Sequence, residues 1–222
     1  MKVFLNGGGA DIQTIGAYKK LNQIIDHSKP CLYIPLAMKQ EKYDGCYEWI
    51  TGELKSISVP NIDMVRSAKE LSTKTLNDYS FLFIGGGNTF KLLHDLKTSG
   101  SFEKISEYIN NDGIVFGGSA GAIIFGKDLE ACRLADSNDV NLKDINGFDV
   151  LNGISILCHF TNGTPEKDEK SKQYLLELSQ HRTSVALPEE VTLFVSDNCI
   201  EVIGDSPYYL FENGQMFIKN DQ

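Results

Sequence analysis

The chain has 222 residues, 41% of them apolar and 23% charged, with a formal net charge of -9. That length suits one domain, 1–222, with a core large enough to need no disulfide or metal staple, and the absence of any Lys/Arg cluster longer than two residues argues against a nucleic-acid-binding face. Five cysteines without a CxxC, a short N-terminal apolar run and no stretch near the ~20 apolar residues of a membrane span predict free thiols in a cytoplasmic protein.

Residues 3–5 read as a strand ending at Gly7-Gly8-Gly9. Asp11 is the expected cap of a helix reaching about Asp26, with Ile12, Ile15, Leu21, Ile24 and Ile25 on its apolar side. A second strand covers 31–35, a helix 43–57 and a short strand 62–65. Phe81-Leu82-Phe83-Ile84 is wholly apolar and stops at Gly85-Gly86-Gly87; helices follow at 89–96, with Thr89 as candidate N-cap, and at 101–110. Ile114-Val115-Phe116 is a further apolar strand that leads into a helix-like run from Ala120. Strands apolar on both faces, separated by helices, predict an α/β fold with a mostly parallel sheet between helices. After Ser184 short strands replace this pattern, at 191–195, 200–203, 208–211 and 216–218. Their separators are 196–198, 204–207 and 212–214, the last with the hairpin signal Asn213-Gly214. The expectation is a small antiparallel C-terminal addition to one edge of the sheet.

Gly117-Gly118-Ser119-Ala120-Gly121 fits G-x-S-x-G, directly after one apolar strand and before a helix. A nucleophile elbow has that context: a strained turn lifts the serine hydroxyl above the sheet edge, with small neighbours letting strand and helix approach. A tightly packed or phosphate-binding glycine turn is the plainer alternative. The N–H of Ala120 is one candidate oxyanion donor, and Gly87, in the loop after the preceding strand, is the other. Asn88 and Gly118 flank these positions and are assigned to substrate binding.

A serine needs a base. The chain has four histidines, His27, His94, His159 and His181. His159 sits where the strand-like 154–158 meets a loop, as catalytic residues of open α/β sheets often do, so it is the leading candidate; His181 is second. A carboxylate should fix the imidazole. The polar turn Asp136-Ser137-Asn138-Asp139 is well placed to supply it, and spacing alone does not separate Asp136 from Asp139.

With these residues in hand, the chain resembles the dipeptidase E/cyanophycinase family of serine peptidases. The matching stretches are Phe83 to Phe90 (FIGGGNTF), Gly118-Ser119-Ala120-Gly121-Ala122, Asn138-Asp139-Val140 and His159-Phe160-Thr161-Asn162, with weaker similarity through Leu187-Pro188-Glu189. The resemblance implies a flavodoxin-like fold of the class I glutamine amidotransferase type. It implies Ser119 as nucleophile, His159 as base, Asp139 rather than Asp136 as acid, and Gly87 and Ala120 as oxyanion donors. Members of the dipeptidase E type cleave dipeptides with an N-terminal aspartate and carry arginines after the histidine. Here Lys167, Lys170 and Lys172 lie in that region, and Arg182 is the sole arginine after His159. The expected activity is hydrolysis of small peptides through an acyl-enzyme, without metal or organic cofactor, nucleic acid or membrane, with a homodimer as the candidate assembly. An α/β-hydrolase-type esterase or amidase, an amidotransferase relative (which would have cysteine at the elbow) and a non-catalytic binding protein are the competing readings.

Overall fold

The structure, a computed structural model, describes residues 1–197 and 199–220. The apolar runs become neighbouring strands: β1 (Lys2–Asn6), β2 (Cys31–Ile34), β3 (Ile62–Met64), β4 (Phe81–Ile84) and β5 (Ile114–Gly118). They pair in parallel in the order β3-β2-β4-β5-β1, and β8 (Thr192–Ser196) and β9 (Ile200–Ile203) continue the sheet antiparallel beyond β1. The run β3-β2-β4-β5 repeats the start of the flavodoxin strand order, and β1 occupies the fifth place. A second sheet, ordered β11-β10-β7-β6, comprises β6 (Ile154–Cys158), β7 (Thr183–Leu187), β10 (Tyr208–Glu212) and β11 (Gln215–Lys219).

Side chains alternate across the main sheet with period two. Phe4, Tyr33, Phe81, Phe83 and Phe116 face α1 (Ile15–Ile24) and α2 (Tyr43–Glu53), forming an aromatic layer with Tyr18, Leu21 and Ile50. Val3, Leu5, Ile34, Leu82, Ile84 and Val115 face the opposite layer, which holds the short α3 (Ala68–Thr73), α4 (Thr89–Ser99), α5 (Ser101–Asn110), α6 (Ala120–Ile123) and the second sheet. In α4 the buried residues Phe90, Leu92, Leu93 and Leu96 form the core stripe, and Gly100, at φ +75°, ends the helix in a left-handed cap. Asn213 and Gly214 both have positive φ and join β10 to β11 as the two-residue hairpin their sequence signals.

Three expectations change. Asp11 does not cap a continuous helix: its φ is +51°, its N–H donates to the Glu53 carboxylate, and only a 3-10 turn (Asp11–Gln13) precedes α1. The C-terminal strands do not all join one edge. β8 and β9 extend the main sheet, whereas β10 and β11 join β6 and β7, where Phe211 is fully buried in T-shaped contact with Phe160. Within the expected turn 196–198, Asn198 lies outside the described residues. Finally, α7 (Pro165–Leu178) has no counterpart among the expected elements, because its early turns are almost wholly polar and only Leu175 is buried. Its signature is the cap: Thr164 accepts from the Lys167 N–H and Pro165 begins the first turn.

The second sheet is tied to the loop after α6 by a buried carboxylate. Asp128 has a side chain only 4% exposed; it pairs with Arg182 and accepts hydrogen bonds from Ser155 Oγ (2.7 Å) and the Glu130 N–H (3.1 Å). Arg182→Ala would leave this charge without its cation. Because Arg182 is itself part-exposed, the loss should fall at the low end for a broken buried pair, about 3 kcal/mol, measurable by urea unfolding.

Candidate active site

The C-terminal rims of β1, β4, β5 and β6 converge on one cavity. At the end of β5 the chain turns sharply into α6, and Ser119 takes the turn at φ 53°, ψ -117°. Two glycines permit it. A Cβ on Gly117 would lie 2.3 Å from the Gly121 carbonyl oxygen, and one on Gly121 would lie 2.1 Å from that of Ile84. The Ser119 N–H donates to the Asn6 carbonyl (3.1 Å), which anchors the elbow to β1.

His159 follows β6 directly. It too has a left-handed backbone, φ 57°, and its N–H donates to the carbonyl of Gly7, the residue after Asn6, at 2.9 Å. The imidazole reaches both ways: Nε2 lies 2.8 Å from Ser119 Oγ, and Nδ1 lies 2.8 Å from Glu189 Oε1. A carboxylate can only accept, so the ring proton belongs on Nδ1, leaving Nε2 to accept from the serine hydroxyl.

Glu189 comes just after β7. Its N–H donates to Asn162 Oδ1 (2.8 Å), and its carbonyl accepts from the Gly9 N–H (3.2 Å). Gly7-Gly8-Gly9 forms the opposing wall. A Cβ on Gly7 would lie 1.9 Å from the Pro188 carbonyl oxygen, one on Gly8 2.2 Å from the His159 ring and one on Gly9 2.3 Å from the Glu189 carbonyl oxygen.

The acid expected from the sequence is therefore not the residue beside the imidazole. Asp139 accepts from Ser137 Oγ at 2.8 Å. Asp136 accepts from the Thr89 N–H and hydroxyl at the start of α4. The polar turn thus serves that helix and itself, while Glu189 holds the ring. Asn88 also departs from its expected role. It, rather than Thr89, is the N-cap of α4: Oδ1 accepts from the Lys91 N–H, and its amide donates to the Ser137 carbonyl, so both ends of the side chain are engaged away from the cavity. Gly118 does line the cavity, as do Gly86 and Gly87. Among the described residues, neither Gly86 nor Gly87 has an internal acceptor for its N–H, and Ala120 at the first turn of α6 has no intrahelical one. This loop borders the hydroxyl, since a Cβ on Gly86 would lie 3.5 Å from Ser119 Oγ.

The cavity has a volume of about 250 Å³ and aromatic walls, Tyr18, Trp49, Phe83 and Phe116. Beneath the serine lies Cys158, whose Sγ is 3.6 Å from the carbonyl oxygens of Asn6 and Ser119. Burial pushes this thiol far up from its ordinary pKa, so it stays protonated and is no rival nucleophile. The other histidines lie elsewhere. His27 contacts the Ser58 carbonyl and His94 its neighbour Asp95, while His181 is exposed at the end of α7.

Residues 4–203 match the model of peptidase family S51. The chain belongs to peptidase family S51. It is 31% identical over 194 residues to Peptidase E of Escherichia coli O1:K1 / APEC, a match covering 84% of this chain and 82% of that one. To Peptidase E of Salmonella arizonae (strain ATCC BAA-731 / CDC346-86 / RSK2980) it is 29% identical over 197 residues, with the same coverage. Its fold is similar to the crystal structure of a peptidase from an acI-B1 Actinobacterium: TM-score 0.75, 16% identity, 99% of this chain and 94% of that chain covered. This S51 member is thus an enzyme, a serine-type peptidase, as the sequence resemblance implies. Among the described residues, no helix is long and apolar enough to cross a membrane.

The glycine wall gives a direct test. Gly8→Ala would drive a methyl group into the imidazole, and a base misplaced by about 1 Å typically loses about 100-fold in rate. Fluorophosphonate labelling of Ser119 should slow by that order, while cooperative unfolding persists.

Proposed function

We propose that this S51 enzyme is a cytoplasmic dipeptidase-like exopeptidase working through Ser119, His159 and Glu189. The observation that carries the reading is the unbroken line of two 2.8 Å contacts from the serine hydroxyl through the imidazole to the carboxylate. In the acylation step His159 Nε2 takes the Ser119 proton as Oγ attacks the scissile carbonyl. Glu189 keeps the ring proton on Nδ1 and stabilises the imidazolium that forms. The developing oxyanion meets the N–H groups of Ala120 and of the Gly86-Gly87 loop, each such donor being worth about 3 kcal/mol of transition-state stabilisation. His159 then protonates the leaving amine, the acyl-enzyme remains on Ser119, and water repeats the sequence to release it.

A cavity of about 250 Å³ at the nucleophile suits a short peptide better than an extended chain. Five free cysteines suit a reducing compartment. The Peptidase E relatives support the same class of substrate.

Ser119→Ala should abolish dipeptide turnover with little change in melting temperature, and His159→Gln should do nearly the same, whereas His181→Gln should stay active. The acid is discriminated by a second pair. Glu189→Gln keeps the shape but loses the charge and should lower kcat by about 10³- to 10⁴-fold, while Asp139→Asn should remain within about twofold of wild type. The reverse result in steady-state kinetics would return the acid to the 136–139 turn.

A further inference from the structure

A second cavity adjoins the first. It has a volume of about 490 Å³ and lies between β2, the loop after it, and α2, and it shares Trp49 and Gly86 with the cavity that holds Ser119. Its other walls are Tyr33, Met38 and Cys46. Burial raises the pKa of the Tyr33 hydroxyl well above its ordinary value, so this phenol is neutral. Trp49 is held edge-on to Phe83 with ring centroids 6.1 Å apart, yet it remains 42% exposed, unusually open for a tryptophan in the aromatic layer. The charged groups at this cavity, Glu41 and Lys42, are adjacent, exposed and of opposite sign.

All three arginines of the chain are engaged in ion pairs: Arg66 with Asp44, Arg133 with Glu130, and Arg182 with the buried Asp128. None lines either cavity. A carboxylate side chain entering beside Trp49 would leave water with no guanidinium and only the exposed Lys42, next to Glu41, to receive it, which is unfavourable. An aromatic or branched aliphatic side chain would bury apolar surface against Trp49, Met38 and Tyr33.

We propose that this cavity is the pocket for the side chain on the acyl half of the substrate, and that it selects a large apolar residue over aspartate. The inference rests on the dipeptidase reading for its chemistry, since Gly86 joins the pocket to the place where the scissile carbonyl would meet Ser119. Its occupant is the side chain of the residue whose carbonyl is attacked. Trp49, Met38 and Tyr33 determine specificity by contact and take no part in proton transfer.

The test compares Phe-Gly, Leu-Gly, Ala-Gly and Asp-Gly as substrates of the full chain. Phe-Gly and Leu-Gly should exceed Asp-Gly by at least about 10-fold in kcat/KM, the discrimination expected of an apolar pocket. Trp49→Ala should lower the Phe-Gly to Ala-Gly ratio by a similar factor. Met38→Asn should lower it in the same direction, and Lys42→Ala should leave Asp-Gly no worse relative to Phe-Gly. Trp49 is the sole tryptophan, so occupancy can also be read without turnover. Titrated into Ser119→Ala, Phe-Gly should change the fluorescence and saturate at a lower concentration than Asp-Gly. A preference for Asp-Gly, or equal rates for all four, would overturn the pocket while leaving the hydrolase intact. Discriminating fluorescence with no wild-type turnover would uphold the pocket and reject the dipeptidase reading.

Discussion

Two consecutive carbonyls at the end of β1 hold the site together. Asn6 C=O accepts from the Ser119 N–H, and Gly7 C=O accepts from the His159 N–H. Ser119 and His159 belong to different sheets, at the ends of β5 and β6, and these carbonyls bring the two backbones to a common template. Both anchored residues are left-handed, at φ 53° and 57°, and each such position is disfavoured by about 1–3 kcal/mol for a residue with a Cβ. Without hydrogen bonds on both sides, either turn would relax and carry its side chain off the 2.8 Å line. The same loop extends the template to the carboxylate, since the Gly9 N–H meets the Glu189 carbonyl and the Gly7 N–H meets that of Val191.

Such a template works only if it carries no side chains. Gly7, Gly8 and Gly9 each face an atom that a Cβ would strike, and the obstacles are three different things: the Pro188 carbonyl, the His159 ring and the Glu189 carbonyl. One run of glycine thus admits the segment after β7, seats the imidazole and lets the carboxylate-bearing strand end lie flat. In the sequence this run looks like a strand terminator. Its purpose appears only when the second sheet is laid against it.

This explains which parts of the site were legible beforehand. The elbow is local: an apolar strand, glycines at 117 and 121 around a serine, and a helix start all lie within a few residues, so their steric logic can be read in order. His159 at a strand end was legible for the same reason. The acid was not. β6 and β7 pair in parallel with Cys158 opposite Leu187, so residues just beyond both strand ends, His159 and Glu189, share a rim. A parallel pairing across an intervening helix leaves no short-range trace, and that helix, α7, is itself polar enough to escape periodicity. The turn at 136–139 concentrates carboxylates between apolar stretches. Its Asp136 instead accepts from the Thr89 N–H and hydroxyl at the start of α4, a use that depends on Thr89 lying nearby in space. The main sheet is legible for the opposite reason to Glu189: a strand buried on both faces must be apolar at every position, and that needs no partner to be recognised. The division of the C-terminal strands between two sheets was hidden, since either edge accepts the same short alternating runs.

Charge placement separates the chemistry of the site from that of the fold. Asp128, outside both cavities, holds Arg182, so the one arginine downstream of the histidine joins the start of β7 to the loop after α6. At the front, the groups around the serine are main-chain amides, an imidazole, one carboxylate and aromatic rings. Glu189 meets the imidazole through Oε1 and the neutral Gln13 amide through Oε2 (3.4 Å), and these two contacts together set the carboxylate's orientation at the ring.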